Sequence, residues 1–157
     1  MRRMVPTLRG AGFLMLSLVA TAASAGPANF SVVYNTSGGF SHYFWSIGID
    51  GAAASANPTL YVSWGRTYSF LISTAGGAHP FWIDESTGIG GTNPYPVGVD
   101  PTTLEGLSAN NIQASSPASV TFRPRSDAPE TLHYSCAMHP EMNGVIQVVV
   151  FRAGFDN

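Results

Sequence analysis

The chain has 157 residues, a length for which one domain is the default, and a formal net charge of −2 with only 10% charged residues. All seven basic residues are Arg, and three of them (Arg2, Arg3 and Arg9) precede an apolar run from Ala11 to Ala20. A chain this poor in positive charge has no basic patch with which to neutralise phosphates, which excludes nucleic acid as a partner.

The first 25 residues read as a secretory signal peptide, with a basic start, a short apolar stretch and the small residues Ala23-Ser24-Ala25 before the cleavage point. The apolar run is too short to span a bilayer, which takes roughly 20 residues. Residues 26–157 would then form the exported domain, in a periplasm or outside the cell. Without the three leading Arg, that domain sets four Arg against nine acidic residues, a formal charge of −5. A mildly acidic surface suits solubility or a basic protein partner, and no membrane span remains.

From Phe30 onward the apolar residues alternate with period two, the pattern of half-buried strands. Phe30, Val32 and Tyr34 share one face of a first strand. Tyr43, Trp45, Ile47 and Ile49 share a face of a second, which ends at Asp50-Gly51. Asn57-Pro58 opens a third segment through Leu60, Val62 and Trp64, and Gly65-Arg66 turns the chain into Tyr68, Phe70 and Ile72. Phe81-Trp82-Ile83 is a short apolar run ending at Asp84. After a polar stretch from Ser86 to Ser119 come Val120 and Phe122, then Leu132, Tyr134 and Cys136. Asn143-Gly144 makes a turn, and residues 145–151 form the last strand. The long polar stretch predicts a loop with one short strand near Val97–Val99 and a single helical turn capped by Asp100-Pro101. Eight short strands without a sustained helical period give an all-β sandwich or barrel. Trp45, Trp64 and Trp82 are expected in its core.

Chemistry is concentrated around the one cysteine. An unpaired Cys in an exported protein is a liability unless something occupies it. Cys136, His139 and Met142 follow one another at C-x2-H-x2-M spacing on a tight loop between two apolar strands. Thiolate, imidazole and thioether are soft to borderline donors that suit copper in both of its common oxidation states. A trigonal His2Cys plane needs a second imidazole, and His79, just ahead of Phe81, is the candidate. His42 reads as surface or packing, and Met138 as loop surface. His133 is out of phase with Cys136 and should face away from it. No paired carboxylates, H-E-x-x-H, P-loop or G-x-S-x-G motif points to a hydrolase.

On these residues the segment from Asn57 to the C-terminus resembles the cupredoxin family, the small blue copper proteins. The lead-in from Asn57 to Phe70, the stretch Ala78-His79-Pro80-Phe81-Trp82 and the Cys-His-Met loop carry the likeness. The resemblance implies a cupredoxin-like Greek-key β-sandwich. It also implies one type 1 copper held by His79, Cys136 and His139 with Met142 as a weak axial ligand, and one-electron exchange with a redox partner protein by a monomer. Pro80 departs from the family, where the residue after the first His is often a polar one that ties the two ligand loops together. Another brace is therefore expected here. Ser135 departs as well, standing where plastocyanin has a Tyr.

Two other functions compete. Tyr134 to Glu141 is similar to a short motif of copper-handling proteins, Y-x-C-P-M-H-P-E, which would make the protein a copper carrier or store with Met138 as a further ligand. A sandwich that kept the loop could also act as a binding module. A self-contained multicopper oxidase is excluded, since one cysteine and four histidines cannot build a trinuclear cluster.

Overall fold

The structure is a computed structural model describing residues 29–37, 42–74, 78–113 and 116–149. The expected signal peptide, residues 1–25, lies outside the described residues, as does the side chain of His42. Eleven strands run in chain order: β1 Asn29–Ser37, β2 His42–Ile49, β3 Ser55–Ala56, β4 Leu60–Ser63, β5 Tyr68–Ser73, β6 Phe81–Asp84, β7 Gly98–Val99, β8 Gly106–Leu107, β9 Ala118–Arg123, β10 Thr131–Cys136 and β11 Asn143–Val149. Among the described residues there is no helix, and so none long and apolar enough to cross a membrane.

The strands form two sheets, one in the order β3-β2-β1-β5-β9-β8-β7 and the other β4-β11-β10-β6. The chain switches sheet repeatedly. As a result β1 pairs in parallel with β5, and β4 in parallel with the last strand, β11. This is the all-β sandwich that the sequence leads one to expect. Its eight longer strands are those marked by the alternation. The additional ones, β3, β7 and β8, are two residues long and exist through their neighbours: β8 pairs with Arg123 and Phe122 of β9, and β7 pairs with β8. The expected strand near Val97–Val99 is β7. The expected helical turn is a single loop closed by the Leu104 N–H on the Asp100 carbonyl (2.8 Å), with Asp100 Oδ1 accepting from the Thr102 and Thr103 N–H groups.

One face of each sheet is apolar, and the two faces meet. Phe30 and Val32 of β1, Trp45 and Ile47 of β2, Phe70 and Ile72 of β5 and Phe122 of β9 oppose Leu60 and Val62 of β4, Phe81 and Ile83 of β6, Leu132 and Tyr134 of β10 and Ile146 of β11. Each such side chain taken fully from water contributes about 1.5–3 kcal/mol before entropy is counted. Trp45 meets Phe81 edge to face at 5.1 Å, which locks the sheets to each other. Trp64 and Trp82, by contrast, are only half-buried. Trp82 alternates with the inward-facing Phe81 and Ile83, so it lies on the outer face of its sheet, where Gly90 and Gly91 cover its ring, Gly90 closely enough to leave no room for a Cβ.

Candidate metal centre

The period-two pattern of β10 turns Leu132, Tyr134 and Cys136 inward and His133 and Ser135 outward. Cys136 is therefore the last inward residue before the chain leaves the sandwich, and it is fully buried. Its register partner on β6 is Phe81. Phe81 is pinned on its other side by reciprocal backbone bonds with Ile112, 3.0 and 2.9 Å. Two residues before Phe81 stands His79, 5% exposed, which this pairing holds at the same end of the sandwich as Cys136.

The loop after Cys136 folds back on itself. Met142 N–H donates to the His139 carbonyl (3.1 Å), and Cys136 N–H donates to the Met142 carbonyl (2.9 Å). The Asn143 side-chain amide donates to the Pro140 carbonyl. This closure returns His139 toward the core and leaves Met142 fully buried. The donor atoms of His79, Cys136 and His139 all lie within 4.8 Å of one another. The two Nδ1 atoms are 3.1 Å apart, and Cys136 Sγ is 3.8 Å from His139 Nδ1. Two donors on one ion, at roughly 2.0 Å for nitrogen and 2.3 Å for sulfur, lie at most about 4.0 Å apart for two nitrogens and about 4.3 Å for nitrogen and sulfur, so the 3.1 and 3.8 Å separations fit a single metal ion. Two imidazoles and one thiol, with a buried thioether at the end of the same loop, are the soft-to-borderline set that suits copper.

Electrostatics fit the same use. Burial pushes the Cys136 thiol up, opposed by backbone N–H groups of Met138 and His139 aimed at the sulfur. Burial and the neighbouring His139 lower the His79 imidazole, with Glu141 acting in the opposite sense. Cys136 and His79 thus favour their uncharged forms until a cation enters, and occupation of the sulfur would release its proton.

Several braces hold this geometry. Pro80 has no N–H, but its carbonyl accepts from the Ala137 N–H (3.2 Å), so the two ligand-bearing segments are tied directly by backbone. Asn57 accepts from the Trp45 N–H (2.8 Å) and donates to the Glu141 carbonyl (3.0 Å), joining β2 to the ligand loop. On the outer face, Asp84 is 2% exposed. It accepts from the Ser135 hydroxyl (2.7 Å) and the Gly91 N–H (3.0 Å), while the Gly90 N–H donates to the Cys136 carbonyl (3.1 Å). The stretch from Glu85 to Tyr95 is thereby strapped over the strand that carries the cysteine.

The residues singled out from sequence divide clearly. His79, Cys136 and His139 are brought together, and Met142 is buried at the end of their loop. His133 faces the other way, and Met138 is 64% exposed. Sequence reasoning missed Tyr34 and Tyr43, which pack on the imidazoles, and Asp84, which read only as a strand end.

No protein-family model matches the chain, and no curated protein matches it either. Solved structures of rusticyanin are similar to it. A rusticyanin variant matches at 22% identity over 77% of this chain and 76% of its own, with a TM-score of 0.46. The rusticyanin of Thiobacillus ferrooxidans matches at 25% identity over 77% of each chain, with a TM-score of 0.41. A multicopper oxidase from Campylobacter jejuni, described as a metallo-oxidase, matches at 14% identity over 79% of this chain but 26% of its own, with a TM-score of 0.40.

Proposed function

We propose that this chain is an exported protein that holds one type 1 copper through His79, Cys136, His139 and Met142 and carries single electrons. The observation that carries the reading is the convergence of two imidazoles and one buried thiol within 4.8 Å at one end of the sandwich. Copper bound there would supply the chemistry, a one-electron step between Cu(I) and Cu(II). The chain's own part is to hold the donors still. A thiol and imidazoles fixed by the Ala137–Pro80 and Asn57 hydrogen bonds change little between oxidation states, which keeps the cost of reorganisation small. The apolar residues around Cys136 keep water from the metal and help set its potential. His139, half-buried where Cys136 and Met142 are fully buried, offers the edge through which a partner would exchange the electron.

Residues 1–25 serve as the export signal in this reading. The partner is a redox protein, with a basic face if it answers the acidic surface, and this chain works as a monomer rather than as a self-contained enzyme. Copper carriage with Met138 as an additional donor has less support, because Met138 turns outward and touches the site through its backbone N–H.

The test is the visible absorption and EPR spectrum of residues 26–157 with one equivalent of Cu(II), beside Cys136→Ala. An intense thiolate-to-copper band with narrow hyperfine splitting, both lost in the variant, is expected. An ordinary weak Cu(II) spectrum, or immediate reduction to colourless Cu(I), would refute electron transfer and favour carriage.

A further inference from the structure

Metal-ligating histidines are ordinarily oriented from behind: the ring nitrogen that does not touch the metal donates to a carboxylate, a carbonyl or water, and this fixes the tautomer and the ring plane. Here the hydrogen bonds of His79 and His139 among the described residues run through Nδ1, the side that faces the other donors. What lies against the rings is aromatic. Tyr34 of β1 stacks on His79 with centroids 4.6 Å apart and planes 12° from parallel. Tyr43 of β2 touches both rings, at 4.9 Å from His79 and 4.3 Å from His139, tilted 44° to each. The imidazoles themselves are 4.6 Å apart.

This placement follows from the sheet. In the antiparallel β1–β2 pair, Tyr34 sits opposite Trp45, and Tyr43 sits opposite Thr36. Both tyrosines thus continue the inward face of Phe30, Val32, Trp45 and Ile47 past the end of the core. They reach the level at which His79 and His139 arrive from the other sheet. Tyr34 and Tyr43 are half-buried. Their contribution is a flat face at a fixed height.

We infer that Tyr34 and Tyr43 are the positioning residues of the metal centre, an aromatic clamp that sets the planes of both imidazoles. Tyr43 is the central element because one ring bears on both histidines. It couples the ligand that arrives before β6 to the ligand on the loop after β10. The inference rests on the copper reading, and it concerns ring faces rather than hydroxyl groups. Phe therefore substitutes for Tyr, and an aliphatic residue does not.

The experiment compares wild-type protein with Tyr43→Phe, Tyr43→Leu and Tyr34→Leu. The readouts are Cu(II) affinity by competition with a chelator, the EPR spectrum of the loaded protein and its midpoint potential by spectroelectrochemistry. Loss of an outer orienting group weakens metal affinity 10- to 100-fold. A loss of about that size is expected for Tyr43→Leu, with altered EPR rhombicity, and a smaller one for Tyr34→Leu, which touches His79 alone. Tyr43→Phe should restore affinity and spectrum to wild-type values. Leu variants indistinguishable from wild type in all three readouts would overturn the clamp, as would a Tyr43→Phe as impaired as Tyr43→Leu, since the hydroxyl would then be the active part. Should Tyr43→Leu fail to fold, the Tyr34→Leu and Tyr43→Phe arms decide the matter by the same readouts. A wild-type protein without a type 1 spectrum is a separate result, which overturns the copper reading itself.

Discussion

Replacing Asn57 tests how the ligand loop is held to the rest of the sandwich. Its side chain accepts from Trp45 N–H and donates to the Glu141 carbonyl, and its backbone stands at φ 42°, in the left-handed region that Asn tolerates better than most residues. In Asn57→Ala both side-chain bonds vanish, each with a net value of about 0.5–1.5 kcal/mol. Alanine at positive φ adds about 1 kcal/mol of strain. The expected loss is about 2–4 kcal/mol, which in a domain of this size lowers Tm by about 10 °C. Asn57→Gly removes the strain but not the lost bonds, so it should recover only part. Chemical unfolding of the copper-free protein, followed by tryptophan fluorescence, measures both. The Glu141 carbonyl directly precedes Met142. The copper-loaded alanine variant should therefore also show a shifted potential, while its thiolate band persists. An Asn57→Ala protein within about 0.5 kcal/mol of wild type, the scatter of ordinary surface changes, would refute this account of the loop.

Three further outcomes are expected. Asp84→Asn should cost under about 1 kcal/mol, since an amide can accept from Gly91 N–H and donate to Ser135 Oγ. Asp84→Leu orphans both groups and should cost about 2–4 kcal/mol in urea unfolding. Gly90→Ala should destabilise by about 1–3 kcal/mol and disturb the near-ultraviolet dichroism, because the new methyl would stand 2.5 Å from Trp82 Cδ1 and 3.1 Å from Ala137 N. In the copper-free protein His79 is held below its usual pKa, so the unfolded chain binds the extra proton: stability is full above about pH 6.5 and falls as pH drops below it. Cys136 is held above its usual pKa, so its contribution is present below about pH 8.5 and lost as pH rises. Urea midpoints across pH 5–10 check both limbs. The alkaline limb should shrink in Cys136→Ser, with the buried Tyr95 and Tyr134 leaving a remainder close to pH 10, and the acid limb should flatten in His79→Gln.

Most of the eight longer strands were legible because they carry their own alternation; Phe30, Val32 and Tyr34 announce a face without help from elsewhere. β8 was not legible in the same way. Gly106 has no side chain to alternate, and the pairing of β8 is imposed by β9. The donors on the Cys136 loop could be read from spacing because a short loop brings near neighbours together. His79 was reached through the demand for a second imidazole and the resemblance of its flanking stretch, not through spacing to the Cys136 loop. The surroundings of the site were hidden for a physical reason: Tyr43 and Asn57 make contacts far along the chain, and Asp84 bonds to Ser135 on the neighbouring strand. In sequence they look like a strand position, a turn opener and a strand end. Trp82 misled in the same way, because an apolar triplet does not say which of its members faces outward under a glycine cover.

The parallel pairing of β4 with β11 fixes an order of events. Leu60 and Val62 find their partners only in Ile146 and Val148, at the far end of the chain. The Cys136–Met142 loop is bounded on one side by that last strand. Such distant pairings form late, because the entropy of closing a long loop must be met before contacts repay it. All four proposed ligands are present in a chain synthesised as far as Met142, before β11 has been made. The strand that bounds one side of their loop, and that gives β4 its partner, is thus the last of the described strands to be added.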